Sequence, residues 1–118
     1  MRFVYTDYPR NTVVKCDTAK EMATVCLTLA EQGFPIEDNG GKEIFDKVLS
    51  FDRELFYYGS CVRISDFDTG QYRLDTCNER FYRDSGCTIL DFKDFEWDAD
   101  EPRQMEIDDV SVESLLFL

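Results

Sequence analysis

Residues 12–35, TVVKCDTAKEMATVCLTLAEQGFP, decide the reading of the fold. Thr12-Val13-Val14-Lys15-Cys16 has the β-branched character of a strand. Asp17-Thr18 stops it. Thr18 and Glu21 have capping-box spacing, in which each side chain satisfies an orphan backbone N–H at a helix start. Met22, Val25, Cys26 and Leu29 follow at i, i+3, i+4 and i+7, which makes one apolar stripe. Gly33 permits the left-handed turn that ends a helix, and Pro35 prevents its return. The spacing predicts a helix over about 18–32, packed on a β-layer.

Upstream, Phe3-Val4-Tyr5 reads as a short strand ended by Tyr8-Pro9. Downstream, residues 37–41 read as a loop. Ile44, Val48, Phe51 and Leu55 recur at helical spacing, so a second short helix is expected over about 42–50. From Leu55 the pattern turns to β. Leu55–Ser65, the turn Asp66-Phe67-Asp68-Thr69-Gly70 and Gln71–Cys77 read as a hairpin. Asp84-Ser85-Gly86 reads as another turn before a last strand, Cys87–Phe92. The expected fold is α+β: an antiparallel β-meander over roughly 55–92 with the main helix packed on one face.

The length of 118 residues suits one domain. Ten Phe and six Tyr argue for a folded body. The net charge of −12 is unevenly placed. Residues 1–90 hold 15 acids and 11 bases, a net of −4, whereas residues 91–118 hold 10 acids against Lys93 and Arg103, a net of −8. A compact domain over 1–97 and an acidic extension over 98–118 are therefore expected. Such an extension repels nucleic acid and suits basic surfaces, including nucleic-acid-binding surfaces of other proteins. A tail that only aids solubility is the competing reading.

Enzymatic chemistry finds little support. The chain has no His, so the commonest general base and every Ser–His or Cys–His nucleophile pair are absent. No C-x₂-C zinc spacing or phosphate loop occurs. Asp66, Asp68 and Gly70 echo a calcium loop but fail at its fifth and twelfth positions. No catalytic residue, metal or cofactor is expected. The five Cys are odd in number and widely spaced, and the start reads as a strand rather than a leader, so a reduced cytoplasmic compartment is expected. Cys77 and Cys87 read as small core residues. No apolar run has the roughly 20 residues of a membrane span.

One basic cluster stands out: Arg63, Arg73, Arg80 and Arg83, interleaved with Tyr57, Tyr58, Tyr72 and Tyr82. Arg and Tyr together can hold a phosphate and stack a base. A nucleotide or cyclic-nucleotide binder is one expectation from it. The other is a solvated strand face on which Arg pairs with a cross-strand acid such as Asp75.

The segment Phe81-Tyr82-Arg83-Asp84-Ser85-Gly86-Cys87-Thr88-Ile89-Leu90-Asp91-Phe92-Lys93-Asp94-Phe95 resembles the C-terminal strand region of small bacteriophage accessory proteins. Those proteins share an aromatic pair, a Ser-Gly or Asn-Gly turn, a Tyr-x-Ile-Ile/Leu strand and a Phe-x-Asp-Phe end. Here Cys87 stands at the Tyr position. The resemblance implies a phage product in the cytoplasm of an infected bacterium. It further implies an inhibitor of a host or defence protein, anti-CRISPR-like, with carboxylates imitating DNA phosphates. The leading expectation is binding to a basic host or defence protein, with no direct nucleic-acid or membrane partner. Asp94, Glu96, Asp98, Asp100, Glu101, Glu106, Asp108 and Asp109 would supply the charge. Phe95, Trp97, Leu116 and Phe117 would supply an apolar anchor. Self-association into a homodimer or structural assembly through a sheet edge is the further alternative.

Overall fold

A computed structural model describes residues 1–36, 40–51, 55, 59–65 and 72–98. The described residues form an α+β fold: a four-stranded mixed sheet with helices on both faces. In chain order the elements are β1 (Thr12–Lys15), α1 (Ala19–Glu31), α2 (Gly41–Leu49), β2 (Cys61–Ser65), β3 (Tyr72–Cys77), α3 (Glu79–Asp84) and β4 (Thr88–Asp91).

Helix α1 begins and ends where its sequence signals stand. The Glu21 N–H donates to Thr18 Oγ1 at 3.1 Å, and the Glu21 carboxylate accepts from the Asp17 N–H at 2.8 Å. Gly33 takes φ +83°, and the Gly33 and Phe34 N–H groups close back on Ala30 and Leu29. This is the glycine C-terminal motif in which two late carbonyls are satisfied. The apolar stripe of α1 is wholly buried with Val14, Val62, Ile64 and Leu74 of the sheet, Cys16 just past β1, Val48 of α2 and Phe3. α2 also matches its expected position.

The strand order is β3-β2-β1-β4. β1–β2 and β2–β3 are antiparallel, but β4 runs parallel to β1, with Val13 opposite Ile89. The three-strand meander expected over 55–92 therefore needs correction at its last strand. The reason is local. Asn78 caps α3, its side chain accepting from the Phe81 N–H at 2.7 Å. Gly86, at φ +81°, ends it with the Cys87 N–H on Tyr82 and its own N–H on Arg83. Asp84-Ser85-Gly86 is thus a helix C-terminus rather than a hairpin turn. A helix between β3 and β4 carries the chain across the sheet, and a parallel neighbour requires such a crossover.

The crossover makes a second, smaller core. Val13, Cys61 and Tyr82 are buried together, with Cys77 and Cys87 packed against them. The chain ends are tied as well. Arg2 and Glu96 form an isolated parallel bridge, with the Phe3 N–H on Glu96 and the Glu96 N–H on Met1, each at 2.9 Å. Phe3-Val4-Tyr5 is accordingly not a strand: the bridge falls at Arg2, and a short 3₁₀ turn, Tyr5–Asp7, follows Val4.

Candidate functional site

Two groups of residues were expected to bind something, and the fold treats them differently. The Arg/Tyr cluster is divided between faces. Tyr72 packs with the main core, edge-on to Tyr5 at 4.9 Å between centroids. Tyr82 is buried in the second core, with the Arg63 guanidinium 5.9 Å from its ring centroid. Arg63 pairs with Asp75 across β2 and β3 at 3.1 Å. Arg83 pairs with Glu79 and Arg80 with Asp84, one turn apart on α3. Arg73 shares the Asp75 face by strand alternation. The sheet face thus carries one cross-strand ion pair, Arg63–Asp75, of the kind expected of a structural strand face. Tyr57 and Tyr58 lie outside the described residues.

The acidic group is only partly within the described residues. Asp94 and Glu96 are exposed. Asp98 is held by the body: Arg2 forms a bidentate pair with it at 2.6 Å for both contacts, and Gln32 Nε2 donates to it at 3.0 Å. The Arg2 guanidinium and the Gln32 amide hold the Asp98 carboxyl down at about 2. Phe95 and Trp97, expected as partner anchors, are engaged within the fold. Phe3 stacks on Trp97 at 4.6 Å and meets Phe95 edge-on at 5.4 Å. Trp97 also stacks on Phe92 at 4.8 Å, and its Nε1–H donates to the Phe92 carbonyl at 3.0 Å. These rings fasten the C-terminal segment to the N-terminus. Asp100, Glu101, Glu106, Asp108, Asp109, Leu116 and Phe117 lie outside the described residues.

The bases of the body are largely matched by its own acids. Arg2, Lys15, Lys42, Lys47, Arg63, Arg80, Arg83 and Lys93 each pair with a carboxylate. Lys93 reaches Asp17 at 2.7 Å. No ion pair among the described residues engages Asp94 or Glu96.

Cys77 and Cys87, read from the sequence as small core residues, do pack against the second core, but sequence reasoning missed their neighbour Cys61. Cys61 lies opposite Cys77 in the β2–β3 register, and both pack by Tyr82 with Cys87. None of the five cysteines forms a disulfide. Burial pushes the Cys26 thiol up to about 12 and the Cys61 thiol up to about 11, and raises Cys16 strongly. That is the reverse of an activated nucleophile, whose thiolate must be favoured. Among the described residues no group of three or more Cys, Asp or Glu is placed to hold a metal ion. No described helix is long and apolar enough to cross a membrane.

The class defined by these features is an acidic α+β domain with a helix-covered mixed sheet. No family model, curated protein or solved structure matches the chain.

Proposed function

We propose that this protein is a non-catalytic binder that presents carboxylates to the basic, nucleic-acid-binding surface of another protein, as a phage inhibitor would inside an infected bacterium. The observation that carries the reading is the internal pairing of the bases. Eight cationic side chains are neutralised within the fold, so the excess of acid is what the molecule offers to a partner. The excess is greatest from Asp91 onward. Asp94 and Glu96 stand on a segment held rigid by Phe92, Phe95 and Trp97. Carboxylates on a fixed platform lose little entropy on docking, and a field of one sign speeds encounter. Asp98 contributes less than the sequence suggests, because Arg2 already neutralises it.

The test compares the full chain with a variant carrying Asp94→Lys, Glu96→Lys, Asp100→Lys, Glu101→Lys, Glu106→Lys, Asp108→Lys and Asp109→Lys. Each is offered a bacterial lysate at low and high salt. The full chain is expected to retain a basic nucleic-acid-binding protein at low salt and release it to salt or to competing duplex DNA. Retention unchanged by the charge reversal would remove the reading.

A further inference from the structure

We propose that Cys61 and Cys77 are a thiol pair poised for oxidation to a cross-strand disulfide by a low-molecular-weight disulfide such as oxidised glutathione. The pair is independent of the acidic surface and lies on another part of the molecule.

The register places the two residues directly opposite each other on antiparallel strands. Directly opposed residues stand roughly 4.5–5.5 Å apart at Cα, inside the roughly 4.4–6.8 Å range of cystines. Their Cβ atoms lie roughly 4.5–5.5 Å apart, so closure draws the strands together by about an ångström. Both side chains point to the face covered by α3, where both pack against the Tyr82 cluster. Other pairings are disfavoured by distance. Cys87 precedes β4, which lies three places across the sheet from β3, or roughly 14 Å at the usual strand spacing. Cys16 and Cys26 are buried in the main core on the other face.

Access sets the order of events. Cys77 is half-buried, whereas Cys61 is fully buried with its thiol held up by burial. The Cys77 thiolate therefore attacks the small disulfide first, forming a mixed disulfide and releasing one thiol. The Cys61 sulfur, on losing its proton, then attacks Cys77 Sγ and expels the second thiol. In sum, two protein thiols are oxidised to one disulfide and one glutathione disulfide is reduced to two thiols. The new bond staples β2 to β3 immediately before Asn78, the residue that caps α3. Intracellular disulfides of this kind act as redox sensors more often than as permanent braces.

The experiment treats the reduced full chain with oxidised glutathione, alkylates it under denaturing conditions and maps tryptic peptides. Cleavage after Arg53, Arg63, Arg73 and Arg80 separates the two cysteines, so the disulfide appears as peptide 54–63 joined to peptide 74–80. The expected result is that product, with two of the five thiols lost to alkylation and a higher melting temperature than the reduced chain. Cys87→Ser should leave the product intact. Cys61→Ser should stop at a glutathione adduct on Cys77, and a dichroism melt of the reduced variant checks that it is folded. A wild-type chain that stops at the Cys77 adduct, or joins Cys77 to Cys87, would overturn the proposal.

Discussion

Tyr82 shows how one residue can organise a face. It sits on α3, the crossover helix, fully buried with Val13 and Cys61. Its ring fills the second core, yet its hydroxyl has no hydrogen-bond partner among the described residues. Burial accordingly pushes the phenol strongly up. An unpaired buried hydroxyl carries a desolvation cost, so its removal is cheap while removal of the ring is not. Tyr82→Phe should therefore melt at or above the wild-type temperature, whereas Tyr82→Ala should lose about 3–5 kcal/mol in denaturant unfolding. Asp98 gives a pH-dependent case. Its folded value, about 2, lies below its ordinary 3.8, so the Arg2 contact stabilises the fold above the ordinary value and is lost as pH falls through about 2. Asp98→Asn should lower the melting temperature near neutrality. The gap from wild type should close with acidification across that window.

At the level of elements, caps decide where helices stand. The reciprocal contacts of Thr18, Glu21 and Asp17 satisfy the first N–H groups of α1. Thr18→Ala should cost about 1 kcal/mol without altering the fold, read as a shift in denaturant midpoint at constant slope. The same logic operates at α3, but its signal is weaker. Asn78 and Glu79 begin it and Gly86 ends it, over only six helical residues. Phe81 and Tyr82 within it favour a strand by propensity. Burial of Tyr82 against Val13 and Cys61 outweighs that preference, as tertiary packing commonly does for so short a helix. The pairing of Cys61 with Cys77 was hidden for a related reason. The β2–β3 register shifts between Arg63 and Ser65, and a bulge breaks the symmetry from which hairpin partners are counted.

Over the whole molecule, the two termini form one structural unit. Phe3 is completely buried between Tyr8, Phe95 and Trp97, and backbone bonds run both ways between residues 1–3 and Glu96. The segment from Phe92 to Asp98 is thus part of the body. A chain ending at residue 98 should melt cooperatively, close to the full-length protein. One ending at residue 91 should lose several degrees or its cooperativity, because Phe3 then has no aromatic partner from that segment. Thermal dichroism of the two truncations separates these outcomes.

Much of the architecture was legible in the chain because it is local. A capping pair, an i, i+3, i+4, i+7 stripe and a Gly-then-Pro stop lie within one short segment and specify α1 without reference to the rest. The second helix, the hairpin strands over Cys61–Ser65 and Tyr72–Cys77 and the acidic bias toward the C-terminus were legible for the same reason, although Leu55, read as the start of the first of these strands, is helical instead. What only the tertiary structure decided involves residues far apart in sequence. The parallel docking of β4 beside β1, the capture of Phe95 and Trp97 by Phe3, the neutralisation of Asp98 by Arg2 and the opposition of Cys61 and Cys77 all depend on which buried surfaces meet. Aromatic and charged side chains look equally available to a partner or to the fold when read along the chain. Burial free energy and the need to match charge assign them, and both are properties of the assembled core.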